Sequence, residues 1–120
     1  MKIAYIAHQI SGNIEENLNI IAQIAREINL KEPETVPFVP YFLDCIMLDD
    51  DNPDERARGI KNDHAILGSG MVNELRLYGP TISKGMIEEI VLAKKHGIII
   101  VPMTSATKRE YFEMTLTPRK

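Results

Sequence analysis

Short apolar runs alternate with longer amphipathic segments along this chain, and that alternation admits few architectures. Lys2 to Ala7 reads as a buried strand, with Ile3, Ala4, Tyr5, Ile6 and Ala7 in succession. The turn from His8 to Asn13 separates it from a helix expected from about Ile14 to Leu30. There Ile14, Leu18, Ile21, Ile24, Ala25 and Ile28 keep the three-to-four spacing of one buried face. Val36 to Val39 is a short strand that contains Pro37 and is closed by Pro40. That suits an edge or a strand end, because proline donates nothing to a ladder. Tyr41 to Leu48 reads as a short helix. Asn52 followed by Pro53 marks the start of another, which runs to about Leu67 and stops at Gly68-Ser69-Gly70. Asn73 to Tyr78 is a third strand with Leu75 and Leu77 on one face. A helix from about Ser83 to His96 ends at Gly97. Ile98 to Val101 is apolar throughout, as in a parallel strand covered on both faces. Beyond Thr104 the pattern is open: Tyr111 to Thr117 fits a last strand, an arm onto a neighbour or a frayed helix.

This order implies one α/β domain over residues 1–120. The expected architecture is a doubly wound, Rossmann/flavodoxin-like parallel sheet of four to five strands with helices on both faces, residues 104–120 forming an arm or last strand. In such sheets ligands bind beyond the carboxyl ends of the strands, where strand order reverses. The segments His8 to Asn13, Val39 to Asn52 and Gly79 to Glu89 therefore matter most.

Composition narrows the partners. The net charge is −3 and no basic stripe is present, which argues against a nucleic-acid polymer. A small nucleotide stays open, since backbone N–H groups and one or two side chains can hold a phosphate. Cys45 is the one cysteine, so no disulfide forms within the chain, and a reducing, cytoplasmic setting is expected. Its place in the apolar run Tyr41 to Leu48 favours a packed thiol over a catalytic one. No signal-peptide pattern precedes the first strand and no run is long enough to span a bilayer, so no membrane partner is expected. His8, His64 and His96 lack ligand spacing, and neither a metal nor another cofactor is expected.

Two acids stand where apolar residues belong. On the helix after Ser83, the stripe Met86, Glu89, Ile90 and Ala93 includes a carboxylate, whereas Glu88 groups with Lys84, Val91 and Lys95 on a mixed surface face. Glu89 also lies too far along the helix for capping. On the preceding helix, Ile60, Asp63 and Leu67 form a similar stripe. Each acid alone is accounted for by a bond to a loop, an arginine or a neighbouring chain. Two on consecutive helices, each near an expected ligand loop, suggest one shared site, because burying an unpaired charge is costly.

The segment Gly79-Pro80-Thr81-Ile82-Ser83-Lys84-Gly85-Met86-Ile87-Glu88-Glu89-Ile90, continued through Ala93, resembles a signature of the nucleoside 2-deoxyribosyltransferases. It is also similar to the deoxynucleoside-monophosphate N-glycosidases and to uncharacterised phage and bacterial relatives. Lys2 to Ala7 with Ile10-Ser11-Gly12 resembles their first strand and loop. Pro37-Phe38-Val39-Pro40, Glu55-Arg56 and Gly59-Ile60 resemble the uncharacterised relatives. The likeness covers residues 2 to about 102. It implies that Glu89 is the nucleophile, that Tyr5 orients it, and that Asp63 assists in handling sugar or base. It implies further that Ser83, Gly85 and Met86 cradle the sugar or its 5′ end, and that Ala7, His8, Gln9, Ile10, Ser11 and Gly12 floor the ligand site. There are departures. His8 stands where the family usually has a small residue, and Gln9 where it has Pro or Ser. Ser11 stands where the monophosphate enzymes place an arginine, and Asn73 near a common aspartate.

The implied reaction is cleavage or transfer at the N-glycosidic bond of a 2′-deoxynucleoside or deoxynucleotide, through a glycosyl ester on Glu89. Asp63 is the candidate acid for the leaving base, with His8 a weaker one. The rival reading is a non-catalytic protein that binds a nucleotide or signalling nucleotide in the same crevice, favoured by the missing arginine and by Asn73; an inert oligomer-forming protein is a third. Because relatives complete their sites across subunits, a homodimer or larger homo-oligomer is expected.

Overall fold

The structure, a computed structural model, describes residues 1–116. Its elements are β1 (Lys2–Ala7), α1 (Ile14–Lys31), β2 (Thr35–Phe38), α2 (Pro40–Met47), α3 (Pro53–Leu67), β3 (Glu74–Leu77), α4 (Lys84–Lys95), β4 (Ile99–Pro102) and α5 (Ser105–Leu116). The strands form one parallel sheet in the order β2-β1-β3-β4. This is the expected α/β fold. The chain leaves β1 for β2 on one side, then returns past β1 to β3 on the other, so the order reverses at β1 and β3.

Alternation along the strands sorts the core into two layers. Tyr5 and Ala7 of β1 and Leu75 and Leu77 of β3 pack with Tyr41, Leu67, Met86, Ile90 and Ala93 from α2, α3 and α4. Ala4 and Ile6 face the other way and pack with Ile24 and Ile28 of α1. The helix starts follow the chain chemistry. Asn13 accepts from the Glu16 N–H at 3.1 Å, and Asn52 accepts from the N–H groups of Asp54 and Glu55.

One open reading closes and one expectation is corrected. Of the last strand, arm and helix left open for the tail, the structure forms helix α5 over the described part, not the arm or last strand named for residues 104–120; residues 117–120 lie outside the described residues. The helix is set by a reciprocal cap: the Thr107 N–H donates to Thr104 Oγ1 and the Thr104 N–H to Thr107 Oγ1, each at 3.1 Å. Tyr111 and Met114, three apart, then pack on the main core. The strand expected to be covered on both faces is instead the edge strand β4. Ile100 joins the main core, but Ile99 on the opposite face is 65% exposed, because α1 covers that face at β1 and not at the far edge. Asn73 is likewise remote from any ligand site. It extends the ladder at the amino end of β3, its Oδ1 accepting from the Ile3 N–H at 2.6 Å.

On the α1 side of β3 sits a charged group that the pattern did not announce. Arg76 is buried and donates from Nε to Glu74 at 2.6 Å and from Nη1 and Nη2 to the Glu32 carboxylate at 2.9 and 2.8 Å. Glu32 caps the end of α1, so this fork ties that helix to the sheet centre. Removing one member of a buried pair leaves the other uncompensated. Arg76→Ala is expected to lower the unfolding free energy by about 3 kcal/mol. The exposed Lys31–Glu27 pair should contribute no more than about 1 kcal/mol when Lys31 is replaced by alanine. Urea denaturation of the two variants checks both values.

Candidate active site

A cleft of about 420 Å³ opens beyond the carboxyl ends of β1 and β3, at the reversal of strand order. His8, Ile10 and Ser11 from the loop after β1 and Ser83, Lys84 and Gly85 from the start of α4 form one side. Tyr41, Asp44, Cys45 and Leu48 come from α2 and its end. Arg56, Gly59, Ile60, Asp63 and His64 come from α3. Met86, Glu88 and Glu89 from α4, Glu55 from the start of α3 and Asp50 from the loop before it complete the lining.

The apolar stripe of α4 forms as the spacing requires. Met86, Ile90 and Ala93 are buried, and Glu89 is carried inward with them. Glu89 is half-buried and lines the cleft, and burial raises its pKa to about 7. Tyr5 pulls the other way and favours the anion, and the charge of Glu88 adds a smaller upward push. The Tyr5 hydroxyl is wholly buried and closes no hydrogen bond of good geometry, yet it is close enough to Glu89 for each to shift the other. Tyr5 thus lies beneath the cleft. Beside it the Tyr41 hydroxyl donates to the Ile6 carbonyl, with the two rings 5.9 Å apart. Burial first, then the carboxylates of Glu89 and Asp63, push both phenols upward.

Asp63 lines the same cleft as Glu89, from the neighbouring helix α3. Its pKa is raised to about 8 by burial, then by the charges of Asp44 and Glu89 and by a hydrogen bond with Asp44. At neutral pH Asp63 therefore keeps its proton, while Glu89 is near its midpoint. One carboxyl group is poised as an acid and the other as an anion.

The remaining expected residues divide. Ile10, Ser11, Ser83, Gly85 and Met86 reach the cleft. The Ser83 hydroxyl is already engaged as the N-cap of α4, accepting from the Met86 N–H at 3.3 Å. His8 reaches it too, but it is buried against Gly79 and its Nδ1 bonds the Gln9 carbonyl at 2.7 Å, which fits a loop-holding role. Ala7, Gln9 and Gly12 do not line the cleft. Ala7 is core, Gln9 braces the loop by donating to the Ser11 carbonyl, and Gly12 turns the chain at a φ of 106°. Glu88 is exposed as expected, but with Lys84 it stands on the rim. Burial and neighbouring aspartates raise the Cys45 thiol to about 11, in keeping with a packed, unreactive group.

Tyr41 and Asp44 were not singled out by the sequence. Their signal was the one that exposed Glu89: Tyr41, Asp44, Cys45 and Leu48 share a helical stripe, and Asp44 is its misplaced acid. Among the described residues no cluster of side chains is suited to hold a metal ion, and no helix is long and apolar enough to cross a membrane.

Residues 2–103 match the family described as a domain of unknown function, DUF7768. The chain belongs to that family. No curated protein matches it. The matched stretch includes every residue lining the cleft and stops just before α5, so the family is defined by the part of the fold that builds this site.

The raised carboxyl groups make stability depend on pH. Between their ordinary values of 4.5 and 3.8 and the folded values near 7 and 8, Glu89 and Asp63 hold protons that the unfolded chain has released. Stability is therefore greatest below the ordinary values and falls as pH rises through the folded ones. Glu89→Gln removes one such cost. It should be more stable than the parent by roughly 2 kcal/mol at alkaline pH and nearly equal to it below the ordinary value of 4.5. Thermal and urea denaturation at both pH values check the sign and the size.

Proposed function

We propose that this protein cleaves the N-glycosidic bond of a 2′-deoxynucleoside, or transfers its sugar, with Glu89 as the nucleophile. The observation that carries this reading is the half-buried Glu89 in the cleft at the strand-order reversal, above Tyr5 and sharing that cleft with Asp63, whose pKa burial and neighbouring carboxylates raise. The likeness of Gly79 to Ala93 to the nucleoside 2-deoxyribosyltransferases supports the same reading. Glycosidic cleavage passes through an oxocarbenium-like transition state, which a carboxylate beneath C1′ stabilises. Glu89 attacks C1′ as Asp63 protonates the departing base. Water or a second base then resolves the glycosyl ester with net retention.

The lining charges favour an uncharged substrate. Asp44, Asp50, Glu55, Asp63, Glu88 and Glu89 face Arg56 and Lys84 as the lysine and arginine members. Even with Asp63 protonated the cleft repels a phosphate, and its first loop, His8 to Asn13, offers no arginine. This weighs equally against the rival reading as a nucleotide-binding protein. A cytoplasmic setting belongs to the same proposal, supported by the lone, unpaired Cys45. So does a homodimer or larger assembly, supported by the exposed apolar side chains Val91, Ile99, Phe112 and Leu116.

Chromatography of a panel of nucleosides and their 5′-monophosphates, with and without a free acceptor base, tests the activity. Nucleosides are expected to turn over at least as fast as monophosphates; a clear preference for monophosphates would contradict the charge argument. Glu89→Ala should lose at least about a thousandfold in rate, whereas Glu88→Ala should stay within about threefold, since an exposed charge contributes little. An active Glu89→Ala protein, or equal losses in both, would refute the nucleophile. Light scattering at micromolar concentration should give a mass above that of one chain, and a monomer would refute the assembly.

A further inference from the structure

We propose that Asp44 is the positioning residue for the general acid, sharing one proton with Asp63 across the contact between α2 and α3 and presenting it to the departing base. The catalytic half of this inference rests on the glycosidic reading above; the shared proton does not.

The contact is built by Gly59. It stands one helical turn before Asp63 on the same face of α3, and a Cβ placed on it would lie 3.6 Å from Asp44 Cβ and 3.9 Å from Asp44 Oδ2. With only hydrogen at that position, the Asp44 side chain lies against the α3 backbone and its carboxyl group reaches that of Asp63. Two carboxylates at hydrogen-bonding distance cannot both be ionised cheaply, and a bond between them exists only if one keeps a proton. The surroundings supply no alternative. The titratable groups acting on the pair are Glu89 from α4, Tyr5 from β1, Tyr41 and Cys45 from α2 and Asp50 from the loop after it; His8 and His64 also line the cleft but are not among the groups that shift Asp63. None of the groups acting on the pair brings a positive charge, and Arg56 and Lys84 are exposed at the cleft's border.

Two atoms point to a ligand. Asp63 Oδ1 is buried without a partner, as is the hydroxyl of Tyr5, a residue with no exposed surface. Native interiors rarely leave such atoms unmatched unless a ligand or water completes them. Asp63 Oδ1 is thus unengaged in a cleft-lining residue that also interacts with Asp44.

In the reaction the proton of the pair moves to a ring nitrogen of the base as the C1′–N electrons leave with it, and a Glu89 oxygen bonds C1′. In the second half, water bonds C1′, its proton returns to the pair, and the ester electrons return to Glu89. Asp44 acts on the base through Asp63. Its part is to keep Asp63 protonated at neutral pH, where an acid is most useful if its pKa lies near the working value.

Carboxyl-carbon NMR titration of Asp63 in the full-length protein, without substrate, tests the shared proton. In Asp44→Asn the Asp63 midpoint should fall by at least about one pH unit, because the like charge that helps to raise it is gone. In Asp44→Glu, which restores the carboxyl group, it should stay high. The alkaline limb of nucleoside cleavage by Asp44→Asn should move to lower pH by the same interval, with kcat falling and KM little changed at neutral pH. An Asp63 midpoint unaltered in folded Asp44→Asn would overturn the inference whatever the activity. A midpoint that falls, in a wild-type protein that cleaves no nucleoside, would uphold the shared proton and overturn the catalytic role given to it.

Discussion

Carboxyl groups brought out of water must find either a counterion or a proton, and this fold uses both answers on opposite sides of one sheet. Strand alternation decides which. On β3, Leu75 and Leu77 face the layer of α3 and α4, while Glu74 and Arg76 face α1. The α1 side is resolved by charge: Arg76 forks between Glu74 and Glu32, with Lys2 3.5 Å from Glu74. The fork holds Glu32 below the usual carboxylate range, chiefly through its hydrogen bonds to Arg76. The cleft side has no such arginine. None of the ion pairs among the described residues includes Asp44, Asp63 or Glu89. There burial dominates, and the pKa shifts of Asp63 and Glu89 run upward.

That division accounts for what was legible in the sequence. Strands and helices were, since period two and period three-to-four are written directly in the order of apolar residues. The helix at α5 was not, because its cap uses a threonine three residues after a threonine in place of the usual glutamate or glutamine. The exposure of Ile99 was not either. A short apolar run looks the same in a central strand and at an edge, and only topology separates them. In the site, Glu89 and Asp63 stood out as charges on apolar stripes. Asp44 obeyed the same rule but sat in a helix of eight residues, too short for the stripe to be evident. Arg76 escaped for a different reason: in a strand with Leu75 and Leu77 inward, a charge between them reads as an outward, solvated position, and nothing local reveals that Glu32 closes over it.

The same comparison explains why Asn73 carries no weight for function. A parallel sheet has a chemical polarity, with ligands at the carboxyl ends of its strands. Asn73 is at the amino end of β3, paired to Ile3 at the start of β1, and its side chain replaces a backbone acceptor there. Whatever an aspartate does near this position in similar sequences, the residue here serves the ladder.

Tyr5 shows how the core and the chemistry are joined. A buried hydroxyl without a partner costs about 1–3 kcal/mol, so a phenol wholly inside the main core is a poor choice for packing alone. What it gains depends on the state of Glu89. An ionised Glu89 offers an acceptor and is favoured by the phenol; a protonated one competes as a donor. Tyr5 is accordingly the one influence that lowers the pKa of Glu89 against burial and Glu88, and the balance comes to rest near 7. Replacing Tyr5 by phenylalanine would remove the downward pull and leave the upward ones, so Glu89 would be protonated over more of the neutral range. The position of Tyr5 follows from the pleat of β1, which turns it to the same side as Ala7 and beneath the cleft. The strand that founds the fold thus also sets the ionisation of the residue on which the proposed chemistry depends.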